Sequence, residues 1–227
     1  MNALIAWMPS LAEMGRSYRI TGVRKAIADR LGYSLRNSLP VALMTDYDAS
    51  RLIALYNNYK QTRGKESPSI TAIIVKAVGD ILPKHPAINS VVEGDQVTEV
   101  DEVNIAVAVE TPRGLYAPTI RNVEKRTLFE VEDELRRLSA RAVEGSITMN
   151  ELTGHSFTVS NLGHLDVLYF TPIINPPDAC ILGVGAVRSE GTYYKGHLTL
   201  VFDHRVVDGA PAAEFLREVK QKLESLG

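Results

Sequence analysis

Apolar residues recur along this chain with two periods, and the alternation between them predicts a mixed succession of helices and strands. Val23, Ile27 and Leu31 stand four apart, with Arg24, Lys25, Asp29 and Arg30 off the stripe, which predicts an amphipathic helix from Val23 to about Leu35. In PVALMTDYD the period drops to two, with Val41, Leu43, Thr45 and Tyr47 alternating against Ala42, Met44 and Asp46 as in a strand. A second helix is expected from Ala49 to Gln61, ended by Arg63-Gly64-Lys65. A third, Ser69 to Leu82, is apolar nearly all round, stops at Pro83, and should be buried.

Short strands are expected next, at Asn89–Val92, Val97–Val100, Val103–Glu110 and Leu115–Ile120. The turn signals Glu93-Gly94-Asp95 and Pro112-Arg113-Gly114 lie between them. Thr127 and Glu130 form a capping-box pattern ahead of Val131, Leu135 and Leu138. The pairs Glu132/Arg136 and Asp133/Arg137 are spaced i,i+4 and read as a solvated helix face. Strands at His155–Asn161, Ala179–Val187 and His197–Asp203 precede a closing helix from Ala212 to about Leu226. Without a regular βαβ alternation, the pattern implies one α+β domain, residues 18–227, behind an N-terminal arm, 1–17.

Composition narrows the function classes. The 227 residues are 45% apolar and 23% charged, an ordinary globular balance. The net charge of -2 offers no basic surplus for a nucleic-acid backbone. A single cysteine, Cys180, excludes a disulfide within the chain and a Cys-built zinc site, and fits a reducing compartment. No histidine pair has metal-ligand spacing, so no metal is expected. No uncharged apolar run approaches the ~20 residues of a membrane helix. The first fifteen residues lack Lys and Arg and are broken by Pro9, unlike a secretory signal.

The densest polar cluster beside an apolar strand is Asp203-His204-Arg205-Val206-Val207-Asp208-Gly209. Leu198, Leu200 and Phe202 interleave with Thr199 and Val201, so a strand delivers His204 to its end, where rigid scaffolds present reactive groups. Gly209 is read as supplying a backbone conformation other residues avoid, and Pro211 suits the first turn of the closing helix. Taken alone, H-x-x-x-D-G fits a structural histidine as well as a reactive one. Cys180, in the apolar run ACILGVGAV, reads as a small buried hydrophobe, and Gly183 and Gly185 as sites of close packing or coenzyme approach.

DHRVVDGAPAAEFL resembles the C-terminal active-site signature of the dihydrolipoamide acyltransferase core of 2-oxo acid dehydrogenase complexes. FTVSNLG followed by FTPIINPPDACILGVGAV resembles a second signature of that family, YRITGVRKAIADRL the opening of its catalytic domain, and VNIAVAVETPRGLYAPTIRN its central strands. The four blocks come in the family's order and span nearly everything from Tyr18 onward. The resemblance implies an α+β sandwich of mixed sheet and helices like chloramphenicol acetyltransferase, working as a trimer with its sites between subunits. It implies acyl transfer between dihydrolipoamide and coenzyme A. The lipoyl group would come from a domain outside this sequence, with a 2-oxo acid decarboxylase and a dihydrolipoyl dehydrogenase as partners.

By the same resemblance His204 is the general base on the incoming thiol. Ser160 is the hydroxyl that stabilises the tetrahedral oxyanion and is not itself acylated. Asp208 pairs with an arginine near the start of the domain, Arg24, to fix the site's shape, in preference to touching His204. Asn161 is either a hydrogen-bonding support or a turn residue. The SNLG wording resembles acetyl- and branched-chain-type members more than succinyl-type ones. Two other readings stay open: a coenzyme A-dependent acyltransferase with an alcohol or amine acceptor, and a non-catalytic oligomeric scaffold. Family members carry lipoyl and subunit-binding domains ahead of this region and often a leucine-rich tail behind it. The sequence therefore reads as an excised or designed core or a stand-alone protein, with assembly into a cage left open. The bacterial or archaeal cytoplasm and the mitochondrial matrix both suit it.

Overall fold

Period-two burial sets the two faces of the main sheet. The computed structural model describes residues 15–227, so most of the expected arm, 1–17, lies outside the described residues. The main sheet comprises β1 (Pro40–Asp48), β4 (Ile105–Val107), β7 (Thr119–Ile120), β8 (Phe157–Asn161), β9 (Cys180–Val184), β10 (Arg188–Glu190) and β11 (Tyr193–Asp203). Its order is β1-β11-β9-β8-β4-β7, with β10 paired to β11. Phe157 and Val159, Cys180 and Leu182, and Leu198, Leu200 and Phe202 point to one face. There they pack with Ile74, Val78, Leu138 and Phe215 in the main core. These partners come from α3 (Ile70–Ile81), α4 (Leu128–Glu144) and α5 (Gly209–Glu224). Thr158, Ser160, Ile181 and Val201 alternate to the opposite face, under α1 (Gly22–Asn37) and the chain at 163–178.

The expected elements recur with informative differences. The long strand expected at 103–110 breaks at Ala108. Its first half joins the main sheet, and its second half, β5 (Val109–Thr111), pairs with β6 (Gly114–Tyr116) in a separate hairpin. The strand expected at 115–120 is broken at Ala117-Pro118, where Pro118 has no N–H to give a ladder. A second separate hairpin joins β2 (Ser90–Glu93) to β3 (Gln96–Glu99). β11 starts four residues earlier than its pattern, because Gly191, at φ 72°, turns β10 back onto it.

The apolar Val23/Ile27/Leu31 stripe of α1 lines a cavity, and Ser34 is the buried residue of that helix. The solvated face expected for α4 is corrected. Glu132 does not sit on a solvated face. It is 4% exposed, its carboxylate accepts from the backbone N–H and hydroxyl of Ser69 at the start of α3, and Arg136 closes on it while also donating to the carbonyls of Lys65 and Ser67. Arg137 pairs with Glu134 and Glu151 instead of Asp133. α2 (Ser50–Arg63) follows its expectation closely and ends at Gly64, φ 57°.

Candidate functional site

Ser160 stands at the carboxyl end of β8, which runs parallel to both β4 and β9. Its side chain is half-buried and faces two openings. One is an apolar cavity of about 540 Å³ between α1, the sheet and the chain at 170–175. The other is a more polar cleft lined by Arg24, Glu110, Thr111, Asn161 and His164. Asn161 performs both roles left open for it: its Nδ2 donates to Thr71 Oγ1 at 3.0 Å, and its Oδ1 accepts from the Gly163 N–H at 2.8 Å. The strand end carrying Ser160 is thereby tied to α3 and turned away. Close backbone approach finishes the turn, since a Cβ on Gly163 would meet the Gly185 carbonyl at 2.6 Å and one on Gly185 the Leu168 carbonyl at 1.8 Å.

His204 follows the last residue of β11. Asp203 holds that corner: it is buried, accepts from the Leu39 N–H at 3.1 Å, and is forked by Arg205, with Nη2 at 2.6 Å. Burial opposes its charge, but Arg205 and the two backbone N–H donors outweigh that and hold its carboxyl below the ordinary value. Neither Asp203 nor Arg205 is singled out by the sequence pattern, although both flank the motif histidine. The His204 N–H donates to the Leu39 carbonyl, and its ring leans on Phe202. The His204 side chain is 45% exposed, and Asp208, 84% exposed, places its carboxylate 3.8 Å from Nδ1.

The β-ladder fixes how far apart these groups lie. Ser160 is opposite Gly183, and Gly183 is opposite Thr199, so Ser160 is level with Thr199 two strands away. His204 lies five residues past Thr199 (204 − 199). At about 3.3 Å per residue and about 4.8 Å per strand, that is roughly 17 Å along and 10 Å across, some 19 Å in all. Within one chain the two cannot act on one atom. Arg24 shares the Ser160 end, on the first turn of α1, so the expected Arg24–Asp208 ion pair is not formed within the chain either; Asp208 faces His204 instead. Gly209 is corrected as well: it opens α5 without a left-handed φ, and a Cβ there would meet open space.

The remaining sequence candidates fall into place. Burial, and after it Asp178 and Asp203, push the Cys180 thiol well up, so it stays protonated and packed. Gly183 leaves room for Phe170 and Pro172, which a Cβ there would meet at about 3.1–3.2 Å. Sequence reasoning passed over a buried His155–Asp178 pair, Nδ1 to Oδ1 2.6 Å, because 23 residues separate them and no motif joins them. Among the described residues no three His, Cys, Asp or Glu side chains gather as a metal site, and no helix is long and apolar enough to cross a membrane.

Comparison with known proteins bears on this arrangement. Residues 13–227 match the family model described as 2-oxoacid dehydrogenases acyltransferase (catalytic domain). The chain belongs to that family. It is 33% identical over 217 residues to the dihydrolipoyllysine-residue acetyltransferase component of the pyruvate dehydrogenase complex of Bacillus subtilis, covering 90% of this chain and 49% of that protein. It is 34% identical over 217 residues to the mitochondrial succinyltransferase component of the 2-oxoglutarate dehydrogenase complex of Saccharomyces cerevisiae, covering 91% and 47%. The chain thus spans about half the length of these curated relatives, and acetyl- and succinyltransferases match it equally well. A structure of Azotobacter vinelandii dihydrolipoamide acetyltransferase superposes with TM-score 0.88 at 29% identity, covering 96% of each chain. In that protein a serine, a histidine and an asparagine four residues beyond the histidine were investigated for their role in the catalytic mechanism. Chloramphenicol acetyltransferase shares the fold, with TM-score 0.57 at 14% identity over 90% of this chain. The α+β sandwich expected from the sequence is the fold found.

Proposed function

We propose that this chain transfers an acyl group between dihydrolipoamide and coenzyme A at sites formed between neighbouring copies of itself. The observation that carries this reading is the distance of about 19 Å that the β-ladder sets between Ser160 and His204, each of which stands at an open surface. The exposed apolar residues Tyr33, Leu35, Leu39 and Val41 near His204 give a neighbouring copy a surface to cover. A cyclic trimer joins the His204 end of one copy to the Ser160 cleft of the next. In the same pairing the partner subunit's Asp208 comes toward Arg24, which supplies across the boundary the ion pair missing within one chain.

At such a site the neutral His204 imidazole removes the proton of the attacking thiol. The sulfur adds to the thioester carbonyl, and the Ser160 hydroxyl donates to the oxygen that gains charge. Collapse expels the other sulfur, which takes the proton back from His204. Asp208, four residues beyond His204 as the asparagine is in the Azotobacter vinelandii protein, stands 3.8 Å from Nδ1, too far for a direct hydrogen bond, and its part is the pair with Arg24 across the boundary. Residues 18–227 form the catalytic domain. The lipoyl group comes from a domain elsewhere, in a complex with a 2-oxo acid decarboxylase and a dihydrolipoyl dehydrogenase, in the cytoplasm or the mitochondrial matrix.

The test is coenzyme A-dependent acyl transfer to free dihydrolipoamide. His204→Ala is expected to lower kcat by at least about 10³ with the far-ultraviolet spectrum unchanged. Transfer to a small alcohol or amine but not to dihydrolipoamide would favour the other acceptor class. A near-active His204→Ala variant would dispose of the mechanism.

A further inference from the structure

We infer that Arg30 is a specificity-determining residue that selects acyl groups ending in a carboxylate. The inference rests on the acyltransferase reading and names the substrate class of the same site. The cavity opening on Ser160 is walled by Ile27, Leu31, Phe170, Ile173 and Ile181. Arg30 is the charged residue among the described residues lining it, and no Asp or Glu joins it there.

The Arg30 head is fixed in place. Its Nε donates to Asn175 Oδ1 at 3.0 Å, and its Nη2 donates to the Pro176 carbonyl at 2.5 Å and to His155 Nε2 at 3.2 Å. A guanidinium can only donate, so Nε2 must be bare and the His155 proton must lie on Nδ1, against Asp178 Oδ1. The other Asp178 oxygen accepts from Thr158 Oγ1 at 2.5 Å, and Asn175 Nδ2 donates to the same Thr158 oxygen at 3.1 Å. His155, Thr158, Asn175 and Asp178 are all nine-tenths or more buried. Asp178 thus spends its charge on His155 and Thr158 and leaves Arg30 unneutralised. Among the described residues Arg30 makes no ion pair, and no group accepts from its Nη1.

A held guanidinium with Nη1 unspent, lining an apolar cavity, is complementary to a carboxylate oxygen. The spacing suits a short chain. Thr158 and Ser160 are two residues apart on one face of β8, about 7 Å. An acyl group of about four or five carbons whose thioester oxygen meets Ser160 carries a terminal carboxylate past Thr158 toward Arg30. This departs from the acetyl or branched-chain group that the SNLG wording resembles. His155 and Asp178 are then positioning residues, acting through Arg30.

The test compares kcat/KM for succinyl-CoA and acetyl-CoA with dihydrolipoamide as acceptor, using the full chain in its native assembly. The ratio of succinyl to acetyl is expected to exceed about ten for the wild type, a charge-assisted bond's effect. Arg30→Met should lower that ratio at least about tenfold and Arg30→Lys less, while His155→Ala added to Arg30→Met should move it no further. The wild-type ratio needs no variant, so misfolding cannot hide the answer. If acetyl is transferred as readily as succinyl, or both donors fall alike in Arg30→Met, the inference is overturned and the acyltransferase reading stands. If no donor supports transfer, that reading falls and this inference with it.

Discussion

Ser160→Ala takes one oxygen from the wall between the two openings and disturbs little else. The β8 backbone is held by β9, with Ser160 opposite Gly183, and by β4 through Val107 opposite Val159. The next residue is anchored by the Asn161–Thr71 bond of 3.0 Å. Thr158, the neighbour on the same face, keeps its bonds to Asp178 and Asn175. The loss is therefore confined to a single hydroxyl donor. A donor aimed at a developing oxyanion is worth about 2.7–4 kcal/mol, so kcat should fall about 10²- to 10³-fold. KM for either substrate should stay within about threefold, because the bond strengthens only as charge gathers on the oxygen. Initial rates with acetyl-CoA and dihydrolipoamide varied in turn provide the assay, and a melting curve within about 2 °C of the wild type shows that the fold is kept. A kcat within threefold of the wild type, or a loss lying wholly in KM, would refute the oxyanion role.

Two predictions concern what holds the site in shape. Asp178→Ala strands two buried neutral donors, the His155 Nδ1–H and the Thr158 hydroxyl, at about 1–3 kcal/mol each and about 3–5 kcal/mol together. At about 2–4 °C per kcal/mol for a chain of this size, Tm should drop by roughly 6–20 °C, and a shift under about 2 °C would remove the network from the stability account. The Thr148 backbone N–H, helped by Arg137 and the Thr148 hydroxyl against the cost of burial, pulls the Glu151 carboxyl from 4.5 down to about 2. Because the folded value is the lower one, this support is complete above about pH 4.5 and is lost as pH falls toward 2. The gap in urea midpoint between wild type and Glu151→Gln should accordingly narrow on acidification; a gap independent of pH would contradict the assignment.

How much was legible in advance depended on whether a feature is local. His204 at a strand end and the Thr127–Glu130 box are written within a few residues and appear where the pattern places them. Helix spacing described Glu132 as solvated because it cannot know that the start of α3 lies across from it. The stripe of α1 was legible as apolar, but whether it meets a core or a cavity depends on the chain 140 or so residues later that Ser34 and Arg30 touch. The His155–Asp178 pair was hidden for the same reason. Most consequentially, the family resemblance already put Ser160 and His204 on different copies, while the distance between them within one chain came only with the register of β8, β9 and β11.

That separation is tested most directly by mixing two disabled chains. Ser160→Ala and His204→Ala are co-expressed in equal amounts, and the whole randomly mixed population is assayed without sorting. If each site draws its histidine from one copy and its serine from the next, random mixing leaves half of the donors of each kind intact, and half of a half, about a quarter, of the sites are whole. Activity near a quarter of wild type, from parents that are each nearly inactive, is the predicted result. Activity no greater than the sum of the two parents would mean that serine and histidine act within one chain, or not together at all.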